Sequence, residues 1–393
     1  MNLAVPYRNA WGGAGARFPR CAPQAHTPRT RRPAPPHAFR YGTAEAGRRT
    51  FMRYALLLNP GFNRVYFGAA RDIMRKEFEI VTSKRNFTDI EFMELAGVAY
   101  LGFRAEGPAD AAALAEIAGL SFFLALFELH GGKLLPVYAD AGYAFPENIN
   151  TILKYTGKTN ERFVRLMVNA AMALAPSVAS GAAMALAGRK LRLLDPVAGR
   201  GTVLFEGIAR GMDAVGIEIE KNASEANVFF EKYLQEGRYK HKFRQEKRAD
   251  KQGRKAADAV HAEFASNKED FDRKVRQNYS LYTGDCAVCL DFIKNGSIDI
   301  IAADLPYGVQ HKSAGKTRNA VPLVESVADK LFAVLARGGA LVFAFNEFTT
   351  KKAELADVVR GAGFEVLTEY PFDDFTHRVD QAIKRDLIVA RKG

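Results

Sequence analysis

The 393-residue sequence contains only three cysteines, Cys21, Cys286 and Cys289. Three cysteines are too few for a framework of disulfide bonds, which excludes the class of small disulfide-stapled secreted domains and favours a cytoplasmic location. Cys286 and Cys289 have the spacing of a metal-binding pair, but no second pair and no histidine partner follows them. We interpret them as small apolar residues near the end of a strand and predict no metal site.

The first 50 residues contain one acidic residue, Glu45, and no lysine, against nine arginines and seven prolines. Such a segment cannot bury enough apolar surface to order itself, so we predict that residues 1–51 form a disordered extension. An arginine-rich leader with few acids is typical of an organellar transit peptide. The alternative, which we favour, is that the protein begins at Met52, where a strand-like apolar run opens.

The longest stretch without charge, residues 166–188, is mostly alanine and is interrupted by Pro176. Alanine contributes little to membrane insertion, and the proline divides the run into two segments of ordinary helix length. We therefore predict two buried helices and no interaction with a membrane.

Residues 52–150 are predicted to form a small α+β accessory domain. The pattern predicts a strand over 54–58, a helix over 68–78, an apolar strand-rich segment over 92–103 and an Ala/Leu-rich helix over 109–129. This order resembles that of a ferredoxin-like or RNA-binding domain, and a plain packing module is an equally good interpretation.

From residue 191 onward, short apolar strands alternate with helices, which predicts a mostly parallel, doubly wound α/β sheet in a domain spanning 151–393. The predicted strands lie at 192–194, 214–218, 280–283, 298–302, 340–345, 364–367 and 386–390. Residues 236–278 interrupt this alternation and are interpreted as an insertion, since no connection of that length is needed between two such strands.

A glycine-rich turn, Asp195-Pro-Val-Ala-Gly-Arg-Gly-Thr202, follows the first strand of this domain and opens a helix. Ligands of such sheets bind beyond the carboxyl ends of the strands, and glycine lets the backbone approach them closely. The turn is neither the GxGxxG fingerprint nor a Walker loop, because no lysine follows the glycines. We predict that cofactor is bound by Asp195, Ala198, Gly199, Gly201 and Thr202.

Two further acids follow the next two strands. Glu218 can accept both hydroxyls of a ribose through its two oxygens, and Asp285 can accept a hydrogen bond from an adenine amine. Each acid alone is equally typical of a solvated loop or a helix cap. Their joint position beside the glycine turn predicts a nucleoside-containing cofactor.

Asp304-Leu-Pro-Tyr-Gly308 follows the fourth strand. An exocyclic amine is a poor nucleophile because its lone pair is delocalised into the ring. The Asp304 carboxylate and the Leu305 carbonyl can accept its two N–H groups and free the lone pair for attack on a methyl sulfonium. Pro306 fixes the turn, and Tyr307 offers a ring for stacking. The alternative is an ordinary turn, since Asp, Pro and Gly all favour turns.

These motifs, with Gly157-Lys-Thr-Asn-Glu-Arg-Phe163, resemble those of the class I, Rossmann-like, S-adenosylmethionine (SAM)-dependent amino-methyltransferases. More narrowly, they are similar to the tRNA guanine-N2 methyltransferases that modify the position-ten guanosine. The resemblance implies a seven-stranded methyltransferase domain, SAM as cofactor, and Asn160 and Phe163 against the methionine end of SAM. Leu305 departs from the family's usual proline, which is expected to loosen the turn, and residues 52–145 carry no RNA-binding signature.

The net charge of +12 is concentrated in residues 1–50 and in the insertion. Residues 238–255 carry nine basic side chains against two acids, with Tyr239 and Phe243 interleaved, a pattern that can bind phosphates or form a solvated helix or loop. We predict a SAM-dependent RNA N-methyltransferase with tRNA as partner and guanine N2 as best target. The alternatives are a DNA adenine-N6, ribosomal RNA or protein-amide methyltransferase, and a non-catalytic RNA-binding protein that retains the fold.

Overall fold

We describe the protein from a computed structural model. The structure describes residues 51–59, 70–151, 154–155, 158–175, 190–219, 221–250, 252–306 and 318–393, all within one compact unit, Ala44–Gly393. Of the predicted extension 1–51, residues 1–50 lie outside the described residues, as do the predictions for a second helix after Pro176 and for Tyr307. Phe51 was wrongly included in the extension, because it pairs with Glu106 as the first residue of a strand.

The first sheet has five antiparallel strands in the order β2-β3-β1-β4-β5. Two helices pack on one face of it, where alternate strand residues such as Leu56, Leu101 and Leu126 are buried. The first four strands and the two helices follow the β-α-β-β-α-β order of a ferredoxin-like arrangement, with β5 added at one edge. The elements are β1 Phe51–Leu58, α1 Arg71–Val81, β2 Thr88–Leu95, β3 Val98–Glu106, α2 Ala111–Ala118, β4 Phe123–His130 and β5 Lys133–Val137.

The predicted helix over 109–129 is wrong in its second half. The helix starts at its Asp110 cap and ends at Gly119, and residues from Phe123 onward form β4. β4 pairs with both β1 and β5, so its Phe and Leu side chains are held by the neighbouring strands. The apolar composition could not distinguish a buried strand from a helix, because periodicity is ambiguous in a short apolar run.

The second sheet has nine strands side by side in the order β13-β15-β12-β11-β6-β7-β10-β9-β8, and β14 pairs with β15. Its strands are β6 Arg192–Asp195, β7 Asp213–Glu218, β8 Lys240–Ala249, β9 Lys255–Ala265, β10 Gln277–Gly284, β11 Ile298–Asp304, β12 Leu335–Asn346, β13 Glu365–Leu367, β14 His377–Arg378 and β15 Lys384–Arg391. The helices are α3 Asn148–Thr151, α4 Glu161–Leu174, α5 Thr202–Ala209, α6 Asn222–Glu236, α7 Lys268–Asp272, α8 Cys286–Cys289, α9 Val321–Val334 and α10 Lys352–Gly361, with a 3₁₀ turn at Leu290–Phe292.

The five central strands β12, β11, β6, β7 and β10 are parallel. Helices α4, α5 and α6 bury one face of this sheet, and α9 and α10 bury the other. The central strands read as nearly continuous apolar runs because both faces are covered. This arrangement confirms the predicted Rossmann-like α/β fold, and β8, β9 and β14 are strands beyond the seven that the fold class implies.

The insertion 236–278 is neither a solvated helix nor a loop. Apart from Lys251, which lies outside the described residues, it forms the β8–β9 hairpin and α7, and β9 extends the sheet by pairing with β10. β8 alternates between exposed and partly buried residues, and the ring of Phe243 packs 6.2 Å from that of Phe230 on α6. Up to Arg244 this alternation has the period of a strand that is covered on one face, and from Gln245 onward the exposed positions lie on the opposite face.

A buried polar network joins the two sheets. Asn169 of α4 donates through Nδ2 to the Glu77 carboxylate of α1 at 2.5 Å and to the Gly119 carbonyl at 3.0 Å. Arg210, at the end of α5, donates to the same Gly119 carbonyl at 2.9 Å and to Glu206 at 2.7 Å. The first sheet is therefore tied to the helix that follows the glycine-rich turn. Among the described residues, no helix combines the length and apolarity needed to cross a membrane.

Candidate active site

The glycine-rich turn connects β6 to α5 at the carboxyl edge of the second sheet. The Ala198 N–H donates to the Ile217 carbonyl at 2.8 Å, which fastens the turn to β7. Gly199 and Gly201 have φ of +53° and +87°, in the left-handed region that favours glycine. A Cβ at Gly201 would also lie 3.1 Å from the Phe205 ring. The local backbone therefore requires glycine at 201, one residue before the helix begins at Thr202.

Glu218 reaches from the end of β7 to this turn. Its carboxylate accepts a hydrogen bond of 2.8 Å from the Gly199 N–H, and the side chain is largely buried. Glu218 therefore lies beside the turn, as predicted, and its hydrogen bond helps to hold the backbone of the turn in place.

Asp195, at the end of β6, is buried at 2% exposure. Among the described residues its hydrogen-bond partner is the Val197 N–H at 3.1 Å. Burial raises the pKa of its carboxyl well above the usual range, and the nearby Glu218 and Asp304 carboxylates raise it further. A cationic group of a ligand would offset this unfavourable burial of negative charge.

Glu218 and Asp285 line one cleft at the carboxyl edge of the sheet. Asp285 follows β10 and caps α8 by accepting from the Ala287 N–H at 2.9 Å. The apolar part of the wall is formed by Val197, Ile217, Ile219, Leu323 and Val327. Two acceptors at the ends of neighbouring strands, with an apolar wall between them, fit the ribose and adenine of SAM.

Asp304 ends β11, the strand beside β6, and β11 extends beyond β6 at the same edge. Its Oδ2 accepts hydrogen bonds from the Thr159 hydroxyl at 2.5 Å and from the Arg385 guanidinium at 3.1 Å. The Arg385 and Asp304 side chains are only 7% and 12% exposed, so solvent screens the pair weakly. The carboxylate predicted to hold the target amine is thus fixed in orientation beside the cofactor turn.

A small aromatic cluster supports Arg385. Its guanidinium lies 5.3 Å from the centroid of the Phe163 ring, and the His377 ring lies 4.8 Å from the same centroid. His377 is 3% exposed and donates through Nδ1 to the Phe375 carbonyl. Burial lowers the pKa of His377 to about 4, so its ring is neutral at pH 7.

The turn after Asp304 is tied down rather than loosened. The Leu305 N–H donates to the Ala344 carbonyl at 2.8 Å, which extends the β11–β12 ladder, and the Leu305 side chain is buried at 2% exposure. The expectation that leucine loosens this turn is therefore wrong, because a proline here has no N–H to make that bond. Pro306 is partly buried, and Tyr307 lies outside the described residues.

Asn160 and Phe163 occupy structural positions in the described contacts. The Asn160 side chain caps α4 by accepting from the Arg162 and Phe163 N–H groups at 2.9 and 3.3 Å. The Phe163 side chain is fully buried. Their predicted contact with the methionine end of SAM stays a prediction, and the structure brings the neighbouring Thr159 to Asp304 instead.

Tyr155 is a site residue that no sequence motif indicated. Its hydroxyl lies 3.2 Å from the Thr202 hydroxyl, and the Arg200 guanidinium lies 4.4 Å from its ring centroid. Burial raises the pKa of Tyr155, and the charges of both Asp195 and Asp304 act on it. The ring therefore lies beside the cofactor turn, near enough to Asp195 and Asp304 for their charges to act on it.

The remaining polar groups near the site have no assigned role in binding or catalysis. Cys286 lines the cofactor cleft, and Cys289 is buried in α8 after β10. Among the described residues, no cluster of three or more His, Cys, Asp and Glu side chains could hold a metal ion. Arg378, Asp380 and Gln381, close to the last strand, are exposed.

No curated protein matches this chain. Solved structures with similar folds include a TehB-like SAM-dependent methyltransferase from Corynebacterium glutamicum, with 13% identity over 53% of this chain and 84% of the other, at a TM-score of 0.31. Magnesium protoporphyrin IX methyltransferase from Synechocystis, solved with SAM bound, has 13% identity over 61% of this chain and 87% of the other, at a TM-score of 0.32. At these values the similarities assign no substrate.

A family model described as UPF0020, RMKL-like, methyltransferase domain matches residues 167–370, which is more than half of the chain. This range contains the glycine-rich turn, Glu218, Asp285 and Asp304. The chain belongs to the RMKL-like methyltransferase domain family and is a SAM-dependent methyltransferase.

Proposed function

We propose that the enzyme methylates an exocyclic amine of a base in RNA, with guanine N2 of tRNA as the best substrate. The observation that carries this proposal is the Asp304 carboxylate, held by Thr159 and Arg385 beside the cofactor turn. SAM, when bound, supplies a methyl group on a sulfonium centre. The chain must then present an acceptor to the amine, orient it and receive its proton.

Asp304 can perform all three tasks. Its carboxylate accepts an N–H of the amine, with the Leu305 carbonyl as the second acceptor, which draws the nitrogen toward a pyramidal geometry and exposes its lone pair. When the amine gains the methyl group it must lose a proton. Asp304 is the proposed base for this proton, because its carboxylate accepts the N–H of the amine. Thr159 and Arg385 hold the carboxylate in one orientation. The side chain therefore does not have to reorient during the reaction.

The choice of RNA is supported by the similarity of the residue 157–163, 195–202 and 304–308 motifs to those of tRNA guanine-N2 methyltransferases. A target base inside structured RNA must leave its stack to reach Asp304. We place this activity in the cytoplasm, in keeping with the low cysteine content. A DNA adenine-N6 or ribosomal RNA substrate would present the same kind of amine.

The test is nucleoside mass spectrometry of total tRNA from cells with and without the gene, followed by transfer of labelled methyl from SAM to the deficient tRNA. We expect N2-methylguanosine to be lost without the gene and restored by the wild-type enzyme. Asp304→Ala and the isosteric Asp304→Asn should lower turnover by at least about 100-fold while SAM binding, measured by calorimetry, persists. Thr159→Val should lower turnover by about tenfold, because it removes one hydrogen bond to a charged group.

An unchanged tRNA profile would move the substrate to ribosomal RNA, DNA or a protein amide. Full turnover by a folded Asp304→Asn enzyme would overturn the assigned role of Asp304. SAM binding without methyl transfer to any of these substrates would favour the non-catalytic alternative.

A further inference from the structure

The β8–β9 hairpin carries a row of cations on one face of the sheet edge. Lys240, Lys242 and Arg244 alternate along β8 with partly buried residues, so they point to the same side. All three are exposed. Side chains two residues apart in a strand lie about 6.6 Å from one another. The row therefore presents regularly spaced positive charge.

A shallow groove runs along this face, and we call it the basic groove. Its lining includes Lys242, Arg244, His261, Glu263, Asn278 and Ser280. At one end the Arg248 guanidinium lies 4.9 Å from the centroid of Phe292, and at the other the Arg276 guanidinium lies 4.0 Å from that of Phe271. The groove thus combines cations with hydrogen-bonding side chains over its whole length.

Glu263, which lines the basic groove, and the nearby Glu246 are already paired with arginines. Glu246 receives Arg244 at 2.5 Å and Arg248 at 2.9 Å, and Glu263 is paired with Arg276. In the described part of the chain, Lys240 and Lys242 have no ion pair. These two lysines are therefore the cations that can exchange their counterions for the phosphates of a polyanion.

The turn of the hairpin lies at the reactive edge, whereas Lys242 pairs with Glu263, which lies opposite Asn278 at the start of β10. Ala257, close to the hairpin turn, pairs with Gly284, the residue before Asp285. β8 lies five strands from β11 in the sheet order, about 24 Å across the sheet. The strand registers also place Lys242 level with Asp299, which lies about 17 Å along β11 from Asp304. A single nucleotide cannot span that distance, whereas a folded RNA can.

We propose that the basic groove binds the phosphate backbone of the RNA substrate while the target base lies at Asp304. This inference rests on the proposed function. It adds a docking surface about 30 Å from the reaction, a length set by five strand spacings and about five residues along the strands. Phosphate contacts of this kind position the nucleic acid without reading its sequence.

The test compares wild type with the double variant Lys240→Gln/Lys242→Gln, using an unmodified tRNA transcript. We expect the slope of log affinity against log salt to become less steep by about 2, since each lysine that contacts a phosphate contributes about 1. The KM for tRNA should rise while the affinity for SAM stays the same. The matched control is Lys232→Gln/Arg337→Gln, which removes two exposed charges from α6 and from the start of β12.

A double variant with the wild-type salt slope and KM would overturn the inference. A double variant that binds tRNA normally but self-associates would also overturn the inference. The lysines would then act to prevent another chain from pairing with the exposed edge strand. If wild type binds polyglutamate but not tRNA, the basic groove belongs to an acidic protein partner. If wild type binds tRNA at the groove but methylates no nucleoside in it, the groove stands and the proposed function fails.

Discussion

At the scale of single residues, the site contains a buried ion pair between Asp304 and Arg385. The carboxylate of this pair is the proposed catalytic group. Asp304 and Arg385 are both mostly withdrawn from water, and removing one partner of such a pair commonly costs about 3–5 kcal/mol. The guanidinium also packs over Phe163, beside the neutral His377 ring. A protein that needed only stability could fill this space with apolar side chains. The cost is consistent with a carboxylate kept in place for a substrate.

His377 should make the enzyme sensitive to acid. Its folded-state pKa of about 4 lies below the ordinary value of 6.5, so between these two pH values the unfolded chain binds a proton that the folded chain does not. The free energy of unfolding should therefore fall as pH drops through this window, by on the order of 3 kcal/mol in full. Urea unfolding at pH 7 and pH 4.5 measures this loss.

His377→Phe keeps a ring against Phe163 and removes the titrating group. Its loss of stability between pH 7 and pH 4.5 should be smaller than that of wild type by about 2 kcal/mol. Equal losses in the two proteins would show that His377 does not resist protonation in the folded state.

The acids of the site could be predicted from the sequence, whereas the residues that hold them could not. Asp195, Glu218 and Asp304 each end an apolar strand, and the carboxyl ends of parallel strands share one edge. Thr159 and Arg385 contact Asp304 across 145 and 81 residues of chain. No local pattern marks such a contact, because it arises only when helix α4 packs against β11 and strand β15 pairs with β12, the neighbour of β11.

At the scale of elements, the strand that carries Asp304 extends by one more hydrogen bond through the Leu305 N–H. Leu305→Pro would remove this donor, leave the Ala344 carbonyl without its partner and shrink a buried side chain. We expect the proline variant to be less stable than Leu305→Ala by about 1–3 kcal/mol, since the alanine variant loses the side chain but keeps the N–H. Chemical unfolding of both variants gives this difference.

A proline variant as stable as the alanine variant would mean that the Leu305 hydrogen bond contributes nothing. In that case the leucine would not hold the turn more firmly than a proline does.

Element prediction was good where a strand was bounded by turn residues and weak where apolar runs were continuous. Strands β6, β7 and β11 were placed within about two residues because glycine, proline or an acid marks their ends. The segment 109–129 concealed a helix and a strand, since both are apolar and the boundary is only Gly119 and a short turn. The β8–β9 hairpin was not predicted, because charged residues dominate the composition of this segment and obscure its alternation of exposed and partly buried positions.

At the scale of the whole molecule, the two sheets should unfold together. Asn169→Leu would remove the hydrogen bonds to Glu77 and to the Gly119 carbonyl. Burial raises the pKa of Glu77, so loss of a donor should make its charged form still less favourable. We expect the free energy of unfolding to fall by about 2–4 kcal/mol, because buried polar partners are left unsatisfied.

Gln235→Leu, which changes an exposed position on α6 in the same chemical direction, is the control and should have little effect. Circular dichroism during urea unfolding measures both variants. An Asn169→Leu protein as stable as this control would show that the polar network does not join the sheets energetically.

The overall sheet order was within reach of the sequence, because regular alternation of strand and helix permits few topologies. The junction between the two sheets was not. It is made of Glu77, Asn169 and Arg210, which lie on separate helices and carry no shared motif.

The position of Arg385 has a consequence for how an active molecule arises. Thr159, the glycine-rich turn and Asp304 all leave the ribosome before β15, the last strand of the described sheet. A nascent chain that has reached only β11 or β12 carries the reactive carboxylate without the cation that holds it in the folded protein. The carboxylate and its counter-charge can first meet when synthesis has passed residue 385.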